Sequence, residues 1–166
     1  MLGGCAAATV YGGAIARAIH RFKYRGERAL AAELGALVAG CVARDLVRGI
    51  ALDVVVPAVL HRERARDRGY DQARLLAAEV AAQTGLPLRA PLRRVRPSRP
   101  QIELDRAARA TNMRGAYIAE AGAVRGMRVA LVDDVATTGA TLSAAAGALH
   151  AAGARDVRYY VLALDE

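Results

Sequence analysis

Ile15, Ile19 and Phe22 recur at helical spacing and predict a helix over 14–22, broken by Tyr24-Arg25-Gly26. A second stripe, Leu30, Leu34, Leu37, Val38, Cys41 and Val42, predicts a longer helix over 27–46, closed by Gly49. Positions 53–57, DVVVP, form a short β-branched run of the kind that makes a buried strand and stops at proline. Asp71 is placed to cap a helix reaching Thr84, with Leu75, Leu76 and Val80 inward and Gly85 and Pro87 beyond. Weak alternation over 88–95 and a short apolar run over 116–119 read as strands. Positions 129–132 are a strongly apolar strand, 141–152 a helix ending at Gly153, and 157–164 a last strand.

Strands alternating with crossover helices imply an α/β fold with a mainly parallel sheet covered on both faces. No linker or repeat divides the chain, so 1–166 is expected to be one domain, with 1–50 apart from a core over 51–166. In such sheets ligands sit beyond the carboxyl ends of the strands. Asp133, Asp134 and the segment after Pro57 are expected there.

Composition narrows the field. The chain is 54% hydrophobic with 4% aromatics and no Trp, which suits a globular protein of closely packed helices. No apolar run reaches the roughly 18 residues of a membrane span. The first residues, MLGGCAAATVYGG, lack the basic region of a secretory leader, and Cys5 and Cys41 make no C-x-x-C pair. These features point to a reducing cytoplasm, with Cys41 as a core residue and no zinc. The net charge of +8 favours anionic ligands: phosphate esters, nucleic acid or acidic protein. Arginine supplies nearly all of it, and Lys23 is the only lysine.

The stretch VALVDDVATTGATL, 129–142, concentrates the chemistry. Its strand delivers Asp133 and Asp134 to the crevice. The turn that follows, Val135 to Thr141, is made of small residues and leads into a helix. Such a turn exposes backbone N–H groups at the positive end of a helix dipole, which suits an anion. The hydroxyls of Thr137, Thr138 and Thr141 add donors, and Gly139 permits close approach. Two aspartates repel the same phosphate, so they need a neutral donor or a metal. A ribose diol suits paired carboxylates, and the whole stretch fits a ribose 5′-phosphate. The chain has neither a G-x-x-x-x-G-K-[ST] loop nor a G-x-G-x-x-G turn.

Four apolar residues, two acids, two variable positions and T-T-G-A-T resemble the ribose-phosphate signature of the type I phosphoribosyltransferases. That resemblance implies binding of 5-phosphoribosyl 1-pyrophosphate (PRPP) with Mg²⁺ at Asp133 and Asp134, with Val135, Ala136 and Ala140 completing the turn. It also implies the family's fold, with a small N-terminal hood over the acceptor and a flexible catalytic loop. FKYRGERALAAELGALVA, LHRERARDRGYDQARLLA and RPSRPQIELDRAARATNMRGAY look like successive blocks of the ComF family, linked to bacterial DNA uptake. Val59 and Arg62 stand where that family often carries proline, and Asp71 where asparagine is usual. The family's cysteine-rich zinc-binding N-terminus has no counterpart here.

The resemblance gives roles to the remaining blocks. The segment after Pro57 takes the place of a pyrophosphate loop, with Ala58 and Val59 nearest the strand end and Arg62, Arg64, Arg66 and Arg68 beyond. Arginine suits a diphosphate because it makes two parallel hydrogen bonds. Residues 96–114 take the place of the closing loop, with Arg99, Gln101 and Arg114 facing the departing pyrophosphate and Asn112 at the base. Arg99 and Arg114 join the two aspartates as catalytic candidates. Two functions are expected to compete: phosphoribosyl transfer to an unknown acceptor, and a non-catalytic DNA-uptake role that binds single-stranded DNA or partner proteins. A homo-oligomer is compatible with either.

Overall fold

A computed structural model describes residues 5–59, 69–95 and 115–165. Its main sheet has four parallel strands in the order β1-β6-β5-β2. They are β1 (Cys5–Val10), β2 (Val54–Pro57), β5 (Arg128–Ala136) and β6 (Asp156–Leu164). A small antiparallel pair, β3 (Leu92–Arg94) and β4 (Tyr117–Ala119), stands beside it. The helices are α1 (Gly13–Tyr24), α2 (Leu30–Val47), α3 (Gln72–Thr84) and α4 (Ala140–Ala151).

Alternation along the central strands sends side chains into two cores. Val55, Ala130, Val132, Tyr160 and Leu162 pack against α1, α2 and α3 through Phe22, Leu34, Val38, Val42 and Leu76. Val54, Val56, Val129, Leu131 and Val161 pack on the other face with Leu142, Ala145 and Leu149 of α4. Tyr117 of β4 closes that second core. The α/β fold with a parallel sheet flanked by helices is therefore the one the sequence implies.

The local signals explain the boundaries. The Asp71 side chain accepts the Arg74 N–H at 3.3 Å and starts α3, and Gly85 at φ 73° ends it. Cys41 is buried in the first core, as its place in the α2 stripe implies.

Two features differ from the pattern of the sequence. Cys5–Val10 forms a strand that the sequence analysis did not contain; it pairs with β6, Cys5 opposite Tyr159 and Val10 opposite Leu164. Strand β5 also continues to Ala136, four residues past the apolar run, because β6 keeps pairing with it as far as Ala136–Leu164. The first fifty residues are thus tied to the sheet through β1 and through α2. Among the described residues no helix is long and apolar enough to cross a membrane.

Candidate functional site

Strand β2 ends at Pro57, whose register partner is Val132. From Asp133 onward β5 has β6 on one side and no β2 partner on the other. The two acids therefore stand on the part of β5 that runs past the end of β2.

Each acid is held by the backbone next to it. Asp133 Oδ1 accepts the Asp134 N–H at 2.8 Å, and Asp134 Oδ1 accepts the Val135 N–H at 2.6 Å. Both side chains are half-buried. Burial, and then the neighbouring Asp134 carboxylate, raise the Asp133 carboxyl well above the usual range; the Asp134 N–H and Lys23 oppose this. A pair in this position resists carrying two negative charges. A ligand bringing hydroxyl donors or positive charge relieves the repulsion.

Among the described residues, Lys23 brings a cation to the pair. Its Nζ lies 2.8 Å from Asp134 Oδ2, with 18% of the lysine side chain and 13% of the aspartate exposed. The sequence left the target of Lys23 open. The structure puts it, from the last turn of α1, against Asp134 of the acid pair. The one available signal was that the chain has no other lysine.

The turn follows directly. Thr137, Thr138 and Gly139 lie between the end of β5 and the start of α4. Gly139, at φ 72° and ψ 2°, is the residue before the helix, a conformation that costs a side-chain-bearing residue. The Thr138 hydroxyl accepts the Ala140 N–H at 3.4 Å. The first N–H groups of a helix have no partner within it, which applies to the Thr141 and Leu142 amides in the first turn of α4. Thr137 is exposed, Thr138 and Thr141 half-buried and Gly139 buried. Val135 and Ala136 pack into the two cores and fix the strand beneath the turn.

The segment after β2 is placed as far as Val59. Ala58 is buried in the second core, and its N–H donates to Val132 O at 2.8 Å. That amide is spent on the sheet edge and cannot also hold a diphosphate. Val59 O accepts the Tyr117 hydroxyl at 3.2 Å, which ties this segment to β4. Burial raises the Tyr117 phenol, so it stays protonated as the donor, and Asp133 and Asp71 add to the rise. The charge on Asp133 is thus felt at Tyr117, a coupling that the sequence did not indicate. Arg62, Arg99, Gln101, Asn112 and Arg114 lie outside the described residues.

The donor set bears on a metal. Among the described residues no three His, Cys, Asp or Glu side chains are grouped to hold one. Two adjacent carboxylates remain. Mg²⁺ is commonly held by one or two carboxylates, with water and substrate phosphate completing its shell. The pair fits an ion shared with a phosphate ester.

The chain thus has a parallel α/β sheet with an acid pair near the end of one strand and a turn of small, hydroxyl-bearing residues behind it. The family model described as "phosphoribosyl transferase domain" matches residues 32–166, and the chain belongs to that family. Among solved structures it is similar to the glutamine PRPP amidotransferase from B. subtilis complexed with ADP and GMP, with 28% identity and a TM-score of 0.52. That match covers 80% of this chain and 26% of the other. A structure described as the allosteric regulatory enzyme of purine biosynthesis matches with 26% identity and a TM-score of 0.52, over 81% of this chain and 25% of the other. The chain thus spans about a quarter of the length of these relatives. No curated protein matches it.

Proposed function

We propose that the protein binds PRPP with Mg²⁺ and transfers its phosphoribosyl group to an acceptor. The observation that carries this reading is the order of parts along one stretch: two half-buried acids at the sheet edge, then a hydroxyl-bearing turn at a helix N-terminus. Family membership and the likeness to a PRPP amidotransferase support it.

In this reading Asp133 and Asp134 accept the two ribose hydroxyls, and the turn from Thr137 to Thr141 holds the 5′-phosphate. Hydrogen bonds to a charged oxygen contribute about 1.5–3 kcal/mol each, more than the helix dipole alone at about 0.3–2 kcal/mol. Positive charge develops on the sugar as pyrophosphate leaves, and the carboxylates stabilise it from fixed positions. Mg²⁺, when bound with the substrate at the acid pair, supplies neutralisation of the leaving group. Arg62, Arg99 and Arg114 are assigned to the pyrophosphate, and 96–114 to the loop that closes over it.

Two measurements test this. Calorimetry on an Asp133→Asn, Asp134→Asn double variant should show PRPP bound at least about tenfold more weakly than by the wild type. Unchanged affinity in the folded variant removes the acids from the site. A panel of nucleobases and amines, scored by liberated pyrophosphate, then identifies the acceptor.

The ComF-like blocks favour a second reading, in which the same site senses PRPP and the protein serves DNA uptake. Arg17 and Arg21 of α1 and Arg25 just after it are exposed, with Arg21 paired to Glu27, and offer a basic surface for single-stranded DNA. Binding to DNA that weakens steeply with salt, without pyrophosphate release for any acceptor, would select it.

A further inference from the structure

The contact between Lys23 and Asp134 joins α1 to the acid pair of β5. Both partners are largely enclosed, so this is no loose surface pair. The stem of Lys23 also starts from a fixed point. Phe22 is fully buried, and its carbonyl accepts the hydroxyl of Tyr70, the residue before the α3 cap. Both oxygens of Asp134 are engaged: Oδ1 by the Val135 N–H at 2.6 Å and Oδ2 by the lysine ammonium at 2.8 Å.

We propose that the Lys23 ammonium competes with a divalent metal for Asp134 Oδ2, so that the metal joins the acid pair together with the phosphorylated sugar and not ahead of it. Mg²⁺ binds a carboxylate oxygen at about 2.0–2.1 Å. An ion sharing Oδ2 would lie within about 5 Å of the ammonium, where two positive charges repel strongly in a half-buried crevice. A sugar hydroxyl is neutral and meets no such repulsion. The phosphates of a sugar ester bring the negative charge that lets metal and ammonium coexist. Lysine suits this task better than arginine, being a compact charge on a flexible stem that can shift off the oxygen. The inference deepens the PRPP reading and rests on it for the identity of the ester, but not for the competition at Asp134.

Mn²⁺ binding followed by electron paramagnetic resonance tests it on the full chain, with and without PRPP. Without the ester, Lys23→Met and Lys23→Gln should bind Mn²⁺ at least about fivefold more tightly than the wild type. Lys23→Arg should stay within about twofold, since it keeps the charge. Adding Asp134→Asn to Lys23→Met should abolish the gain. In the wild type PRPP should strengthen Mn²⁺ binding, and in Lys23→Met that coupling should shrink. Two neutral variants that fold and gain nothing would overturn the proposal. A wild type that does not bind PRPP at all would instead remove the sugar-ester reading, while the ligand-free comparison still decides the role of Lys23.

Discussion

Asp53 and Arg128 clamp the starts of two neighbouring strands. Asp53 Oδ2 accepts both the Arg128 backbone N–H and its Nε at 2.8 Å, and Oδ1 accepts Nη2 at 2.6 Å. The Asp53 N–H donates back to Arg128 O at 2.8 Å. These bonds, the side-chain one first, lower the Asp53 carboxyl from 3.8 to about 2. A depressed acid contributes stability above its unfolded pKa and loses it as pH falls through the folded value. Urea unfolding at a series of pH values should show a loss between about pH 4 and pH 2 that Asp53→Asn lacks. The pair is partly exposed, so the effect is modest and shrinks in high salt. Parallel pH profiles for the two proteins would rule out the clamp.

Gly35 of α2 lets that helix lie against α3. A Cβ at this position would come 2.4 Å from Glu79 Cβ and 2.9 Å from its Cγ. The nearest obstacle is the root of the glutamate side chain, which cannot rotate away. Gly35→Ala should therefore destabilise by about 1–3 kcal/mol despite its better helix propensity. Chemical denaturation measures this, and an unchanged midpoint would mean that the helices separate at no cost.

Gly139 adopts a left-handed conformation between the hydroxyl-bearing turn and α4. Gly139→Ala should cost about 1–2 kcal/mol in stability. It should weaken a ribose 5-phosphate more than it weakens ribose, since the turn is assigned to the phosphate. Calorimetry with both sugars checks this; equal losses would take the phosphate away from the turn.

Arg114 is assigned to loop closure over the departing pyrophosphate. Arg114→Ala should lower turnover more than it lowers PRPP affinity, because closure acts late in the reaction. Steady-state kinetics beside equilibrium binding separates the two, and matched losses would argue against a closing role.

The helices and central strands could be read from the sequence because their signals are local. The α2 stripe, the Asp71 cap with Gly85 at the other end, and the β-branched run before Pro57 each act within a few residues. Strand β1 could not be read this way. Its residues, CAAATV, carry few of the bulky β-branched or aromatic side chains that mark strands, and β6 recruits them from far along the chain. The extension of β5 to Ala136 has the same origin, since pairing with β6 outlasts the apolar run. At the site, the acids and the turn were legible because one contiguous stretch holds them. Lys23 was not, because folding alone brings it to Asp134.

Strand β1 has a further consequence, for the order in which the molecule assembles. Thr9 Oγ1 donates to Leu162 O at 2.7 Å, a bond between residues 153 positions apart. The ribosome makes β1 long before β6, its neighbouring strand among the described residues. Residues 5–10 must therefore wait for β6 to be made before they can pair with it, whereas β5, α4 and β6 form a contiguous unit with short loops. Closing so long a loop is slow relative to local pairing. Pulse-labelled amide exchange during refolding should find the β5 amides protected before those of β1.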